Sequence, residues 1–139
     1  MNVVDTNILI YAHDTRYPDK QVIAESLIRT LTDGVLLWQV ACEYIAASRK
    51  LAVLGFSPDK AWQDVHRLQR LWATQLPTWE VLHRAEDLMN NYSLSSWDAL
   101  IIAACLESGV TRLYSEDFDV SAQSEGLEIV NPFIVSTGS

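Results

Sequence analysis

Four carboxylates in this chain stand where an ionised group is expensive. Asp5 follows Val3-Val4 and precedes Ile8-Leu9-Ile10, and Glu43 lies inside Val40-Ala41-Cys42-Glu43-Tyr44-Ile45-Ala46-Ala47. Asp98 opens the run Asp98-Ala99-Leu100-Ile101-Ile102-Ala103-Ala104, and Asp117 comes just after Val110-Thr111-Arg112-Leu113-Tyr114. A buried carboxylate without a partner costs several kcal/mol. No Lys or Arg lies within five residues of Asp5 or Asp98, so local ion pairing does not supply the compensation. A hard divalent cation does, because Mg²⁺ and Mn²⁺ take oxygen ligands. Each acid also has a plain structural use. Asp5 suits a helix N-cap, Glu43 complements a helix dipole, Ser95-x-x-Asp98 resembles a capping box, and Asp117 fits a turn. The chemical reading therefore depends on whether the fold brings the four together.

The elements that must position them are legible from periodicity. Met1 to Val4 is predicted as a short buried strand, closed by the turn or cap cluster Asp5-Thr6-Asn7. Pro18 starts a helix to about Leu31, which Asp33-Gly34 ends, and Val35 to Trp38 is a second strand. Val40 to Leu51 is helical, with Arg49 and Lys50 in its last turns. Ser57-Pro58-Asp59 opens a helix, Leu76-Pro77-Thr78 begins with a short strand, and Val81 to Tyr92 is amphipathic. Ser95-Ser96 caps a helix apolar nearly all round, which stops at Gly109, as a central buried helix does. Arg112 to Tyr114 and Leu127 to Val130 are the last strands. Strands alternating with helices imply an α/β fold, a central parallel sheet flanked by helices on both faces in three layers. Ligands in such sheets bind beyond the carboxyl ends of the strands, and helix N-termini point to the same rim. Asp5 and Asp117 follow strands, while Glu43 and Asp98 lie in the first turns of helices. All four are expected on that rim.

The chain of 139 residues is 49% hydrophobic and 20% charged, which fits one ordered domain over residues 1–134 with a loose tail at 135–139. No apolar run approaches the roughly 20 residues of a membrane span. The N-terminus enters an apolar strand without a basic leader, so a cytoplasmic location is expected. Cys42 and Cys105 show no metal-ligand spacing and are expected as small core residues. A net charge of −8 argues against binding nucleic acid through a general basic surface. It leaves open an enzyme that meets phosphates through metal ions, and it suits a basic protein partner.

The segment Val3-Val4-Asp5-Thr6-Asn7-Ile8-Leu9-Ile10-Tyr11-Ala12 resembles the opening of a PIN domain. The mid-chain Glu43, Ser96-Trp97-Asp98-Ala99-Leu100-Ile101 and Leu113-Tyr114-Ser115-Glu116-Asp117-Phe118 extend the resemblance, in order, over residues 1–133. Length and spacing are similar to the small single-domain members, the VapC toxins of bacterial toxin–antitoxin pairs. The resemblance implies a metal-dependent endoribonuclease whose ligands are Asp5, Glu43, Asp98 and Asp117. Thr6, Asn7 and Ser115 then orient carboxylates or metal-bound water. Asp119 is a possible extra acid that reads more simply as a solvated turn residue. One or two Mg²⁺ or Mn²⁺ ions would bind the scissile phosphate and activate water, leaving 5′-phosphate and 3′-hydroxyl ends. A cognate antitoxin is the implied partner.

His13, His66 and His83 show no ligand spacing and are expected at the surface. Arg49 and Lys50, six and seven residues after Glu43, read equally as RNA phosphate contacts or as a charged helix end. Trp62, Trp72 and Trp79 read as core or as the surface of a homodimer or antitoxin groove built by the helices between Ser57 and Tyr92. Three other functions compete. A catalytically idle PIN-like module need not keep four costly acids. A Mg²⁺-dependent phosphatase of the haloacid dehalogenase type needs a second Asp two residues after the first, where this chain has Asn7. DNA as the substrate stays open, because no residue here reads a 2′-hydroxyl.

Overall fold

The computed structural model describes residues 1–118 and 125–134. Asp119 and the tail expected at 135–139 lie outside the described residues. Strand β1 (Asn2–Val4) leads into α1 (Thr6–Tyr11), then α2 (Pro18–Thr30), β2 (Val35–Leu37) and α3 (Trp38–Ala47). After a 3₁₀ segment at Ser48–Leu54 come α4 (Pro58–Leu71), β3 (Ala73–Gln75), α5 (Trp79–Asn91), α6 (Ser96–Glu107), β4 (Arg112–Tyr114) and β5 (Glu128–Val130).

All strand pairs are parallel. β4 lies between β1 and β5, with Val3 opposite Leu113 and Leu113 opposite Ile129. β2 pairs with β3, with Leu36 opposite Thr74. A single parallel bridge from Asn2 to Gly34 joins the two pieces, giving the spatial order β3-β2-β1-β4-β5. The carboxyl ends of β1 and β4 therefore sit side by side at the middle of the sheet. The core is built from Val3, Val4, Leu36, Leu37 and Leu113 on the strands and Ile101 to Cys105 on α6. Ser95 caps α6 by accepting a hydrogen bond from the Asp98 N–H at 3.1 Å, and Gly109 follows the helix in a left-handed conformation (φ 71°) that only glycine adopts cheaply. Among the described residues no helix is long and apolar enough to cross a membrane.

The α/β architecture matches the sequence expectation, and several local expectations need correction. Of the turn and helix-cap readings of Asp5-Thr6-Asn7 the cap holds: Asp5 caps a six-residue helix that the sequence reading did not place, and Thr6 and Asn7 are its first two residues. The third strand lies at Ala73–Gln75, ahead of the expected Leu76, because Trp72 leaves α4 in an extended conformation and the chain pairs at once with β2. The helix carrying Glu43 begins at Trp38 and tightens to 3₁₀ after Ala47. Cys42 is exposed whereas Cys105 is buried, so only one of the two is a core residue. Among the tryptophans only Trp72 is buried.

Gly34 shows why Trp72 matters. α2 ends at Leu31 without the help of Gly34, which lies against the indole of Trp72. A Cβ placed there would stand 2.7 Å from Cδ2, Cε2 and Nε1 of that ring. Because the indole is wedged in the core, Gly34→Ala is expected to lower stability by ~1–3 kcal/mol, read as an earlier urea midpoint with an unchanged m-value.

A polar clasp ties α4 to α3 and to the loop just after α1. Asp64 of α4 accepts a hydrogen bond from Tyr44 Oη of α3 at 2.7 Å and stands 2.7 Å from His13 Nε2 just beyond α1. Burial acts to raise the Asp64 carboxyl. The bonds to His13 and Tyr44 outweigh it and hold the group below the usual carboxylate range. His13 stacks on Phe56 with centroids 4.2 Å apart and is partly buried, with one face still open to solvent. The clasp fixes α1 against α3, the two helices next to Asp5 and Glu43.

Candidate active site

β1 runs directly into Asp5. The Asp5 N–H donates to Tyr114 O at 2.9 Å, which continues the parallel ladder one residue past the strand. The Asp5 carboxylate then does two things. Oδ1 accepts the Thr6 N–H at 2.7 Å and caps α1, while Oδ2 accepts the Ser115 hydroxyl at 2.8 Å from the end of β4. Asn7 Nδ2 donates to Ser115 Oγ at 3.2 Å, and Asn7 Oδ1 accepts the Glu116 N–H at 3.4 Å. One asparagine thus clasps the β4 turn and orients the serine that orients the acid. Burial raises the Asp5 carboxyl to about 6; Ser115 and Thr6 pull it down, and the nearby charges of Glu43 and Asp98 push it up.

Glu43 lies in the second turn of α3. Its Oε2 accepts the Thr6 hydroxyl at 3.0 Å and its Oε1 accepts Gln39 Nε2 at 2.9 Å. Gln39 also donates to Trp97 O at 3.3 Å and so links α3 to the start of α6. Asp98, half-buried in the first turn of α6, is raised by burial and then by the charges of Glu43 and Asp117, against a lowering bond from Ser95. Asp117 is exposed beyond β4.

These four acids line one cleft of about 420 Å³, together with Thr6, Asn7 and Lys50. They come from four separate stretches, as the rim argument expects. Among the described residues none of the four is in an ion pair. Among the same residues, no three His, Cys, Asp or Glu side chains are drawn together at metal-holding spacing. Neutral donors on Ser115, Thr6 and Gln39 occupy oxygens of Asp5 and Glu43. The donor set itself is all oxygen, anionic and without an internal cation, which fits Mg²⁺ or Mn²⁺ and does not fit a softer thiolate- or imidazole-seeking metal.

Lys50 lines the cleft and lies within electrostatic range of Asp14, whereas exposed Arg49 does not line it. Helical spacing could have separated the two: seven residues after Glu43 is nearly two full turns and returns to the same face, and six is not. Gln39 was not singled out from the sequence, though its position four residues before Glu43 puts it on that face. Asp14 and Arg16 also line the cleft, locked together by Arg16 Nε to Asp14 Oδ1 at 2.9 Å and Nη2 to Oδ2 at 2.8 Å. Tyr11 and Glu116 complete that side. Tyr11 Oη donates to Glu116 Oε1 at 2.7 Å, and the Lys20 ammonium bonds the other oxygen of Glu116.

Removing the serine hydroxyl tests the Asp5 environment directly. Ser115→Ala deletes the largest influence that lowers the Asp5 carboxyl. The Asp5 carboxyl carbon is expected to titrate at higher pH in the variant than in the parent, followed by NMR in metal-free buffer.

The PIN domain family matches this chain over residues 3–125. No curated protein is matched by the sequence. Among solved structures, the chain is similar to a toxin–antitoxin complex from Klebsiella pneumoniae, with a TM-score of 0.69 at 16% identity over 97% of this chain and 100% of that one. It is also similar to Mycobacterium tuberculosis VapC20, described as a sarcin–ricin loop cleaving toxin, with a TM-score of 0.64 at 15% identity over 91% and 96% of the two chains. VapBC2 from Rickettsia felis, bound to a DNA fragment from its promoter, gives 0.65 at 12% identity over 94% and 97%. At such identities the likeness concerns the fold, and the family match concerns the sequence over most of its length. That match, over most of the chain, establishes that this chain belongs to the PIN domain family.

Proposed function

We propose that the protein is a divalent-metal-dependent endoribonuclease that acts in the cytoplasm as the toxin of a bacterial toxin–antitoxin pair. The observation that carries this reading is the set of four carboxylates from separate elements that share one cleft and, among the described residues, have no ion-pair partner. Such a site is stabilised by a bound cation and is costly without one. Asp5, Glu43, Asp98 and Asp117 would hold the ion or ions. A bound Mg²⁺ or Mn²⁺ supplies positive charge for the phosphate and acidifies water. Ser115 and Thr6 keep Asp5 and Glu43 facing the cleft, Asn7 holds Ser115, and Lys50 offers its ammonium to a phosphate of the substrate. An idle binding module is disfavoured by the same acids, because four carboxylates sharing one cleft are costly without a cation. The phosphatase alternative lacks its second acid, since Asn7 serves Ser115 and Glu116.

The partner surface proposed for a second copy or for the antitoxin lies apart from this cleft. An apolar groove of about 490 Å³ runs between Trp38, Ile45, Trp62, Val65 and Leu76, with both indoles exposed. Trp79 is 73% exposed further along, at the start of α5. Light scattering is expected to find a dimer at micromolar concentration, and Trp62→Glu is expected to yield monomer; a wild-type monomer would leave the groove to the antitoxin.

The function is tested by incubating chelator-treated protein with a panel of RNAs, alone and with Mg²⁺ or Mn²⁺. Cleavage restored by the metal, with 5′-phosphate ends, is expected. Intact RNA under all conditions would remove the nuclease reading, and equal cleavage of matched DNA would remove its restriction to RNA.

A further inference from the structure

We propose that Arg16 clamps a phosphate of the RNA that flanks the scissile one, and that buried Asp14 is the residue that positions it. The inference rests on the nuclease reading of the cleft and adds a specific grip on the substrate.

Charge creates the need for such a grip. A bound metal meets the scissile phosphate, while the flanking phosphates of the strand are repelled by the carboxylates around them. The chain as a whole carries −8, so no general basic surface holds them. Among the described residues, Arg16 and Lys50 are the two cations that line the cleft. Nearby Lys20 is already bonded to Glu116. Flanking phosphates must therefore find individual cations placed for them.

The Asp14–Arg16 pair is built for that task. Asp14 is 2% exposed and sits in the loop between α1 and α2. Its N–H donates to Tyr11 O at 3.2 Å and its carbonyl accepts the Tyr17 N–H at 3.2 Å, so the backbone fixes its place. Among the described residues, every hydrogen bond its carboxylate accepts comes from Arg16. Oδ1 accepts the Arg16 N–H at 3.2 Å and Nε at 2.9 Å, and Oδ2 accepts Nη2 at 2.8 Å. Lys50 acts on the same carboxylate through space. An ordinary surface ion pair leaves both side chains mobile. Here the acid is buried and the guanidinium is half exposed, so the cation is held from behind while it lines the cleft. The Tyr17 ring, with its centroid 5.7 Å from Arg16 Cζ, supports it further. Pairing through Nε and Nη2 uses one edge of the guanidinium. Both N–H bonds of Nη1 and the second of Nη2 have no acceptor among the described residues, and a flat fork of this kind matches two oxygens of a phosphate. Two cations around one buried carboxylate also make this wall the positive side of an otherwise acidic cleft.

The test pairs protein variants with replacement of single phosphates. Short RNAs, each with one phosphate changed to an uncharged methylphosphonate, are titrated by fluorescence anisotropy against Asp117→Asn protein in Mg²⁺. Cleavage of the unmodified RNA by the wild type is followed in parallel. Replacement of one flanking phosphate is expected to weaken binding about tenfold. Arg16→Gln in the same background is expected to weaken binding of the unmodified RNA by a similar factor and to be indifferent to that replacement. Arg16→Lys keeps the charge without the fork and should recover part of the affinity. Asp14→Asn keeps the Arg16 charge without its anchor, and should weaken binding and blunt the response to that phosphate. Because Arg16→Gln leaves a buried acid unpaired, the double variant Asp14→Asn, Arg16→Gln removes both charges together; it should bind no worse than Arg16→Gln alone. In cleavage, Arg16→Gln should raise KM more than it lowers kcat, by a similar factor for every RNA sequence. Unchanged affinity in these variants, with or without a lower melting temperature, would make the pair a loop brace and overturn the proposal. So would a parent and an Arg16→Gln variant that respond alike to every methylphosphonate. Coupling of Arg16 to one phosphate, without any cleavage by the wild type, would support the clamp and sink the nuclease reading instead.

Discussion

Asp98→Asn should abolish cleavage while leaving the fold intact. The amide is nearly isosteric with the carboxylate, and the Ser95 cap is unaffected because it bonds the Asp98 N–H. What disappears is one of four charges that would hold the cation. Loss of a mere outer partner of a metal site costs about 10–100-fold, so loss of a ligand should exceed about 100-fold. The second half of the expectation has the opposite sign. Burial and the charges of Glu43 and Asp117 raise the Asp98 carboxyl, so its ionised form is disfavoured in the folded, metal-free protein. Removing that charge should raise the melting temperature in chelator at neutral pH and abolish the further rise that Mg²⁺ gives the wild type. Full activity in the variant would take Asp98 out of the mechanism. A lower melting temperature in chelator would show that charge crowding is not what Asp98 contributes.

Asp5 predicts a pH dependence of comparable size. Its carboxyl is raised from 3.8 to about 6, chiefly by burial. The folded state therefore holds that proton more tightly than the unfolded chain. The stability associated with it is fully present below about pH 4 and is lost as pH rises through about 6. Two pH units correspond to ~3 kcal/mol, and Asp5 is buried enough that solvent screening removes little of it. Asp14, Asp64 and Glu116 are shifted the other way, so their contribution is lost only as pH falls through the acid range below their ordinary values. Urea melts in chelator should thus show stability falling between about pH 4 and 7, with Mg²⁺ restoring it more at pH 7 than at pH 5. Asp5→Asn should flatten that interval. A slope that survives in the variant would assign it to other groups.

Much of the candidate site is legible in the sequence, and the reasons are local. A carboxylate inside an apolar run is anomalous wherever the run folds, so Asp5, Glu43 and Asp98 announced themselves by their neighbours. Short β-branched and leucine-rich runs alternating with 3.6-residue patterns specify parallel βα units. Parallel units carry the ends of β1 and β4, and hence Asp5 and Asp117, to one rim. The helix starts at Pro18, Pro58 and Ser95 were equally legible, since proline at a first turn and serine at a cap act within a few residues.

Other features follow from contacts between elements distant in the chain. Trp62, Trp72 and Trp97 are chemically alike, yet Trp72 is buried against Gly34 and the other two are exposed, because burial depends on which helix face the crossover presents to the sheet. The third strand moved to Ala73–Gln75 because pairing with β2 outweighed the weak local preference of Leu76. The sequence by itself determined which carboxylates stand in apolar runs and that the chain folds as alternating strands and helices, since both are properties of residue type and short-range period. Only the tertiary structure decided which neutral groups hold those acids, through Ser115 across 110 residues to Asp5 and Thr6 across 37 to Glu43. It also decided that Lys50, Tyr17 and Trp97 share their cleft. Hydrogen-bond partners and cleft walls come from side chains meeting across elements, and no local pattern encodes that meeting.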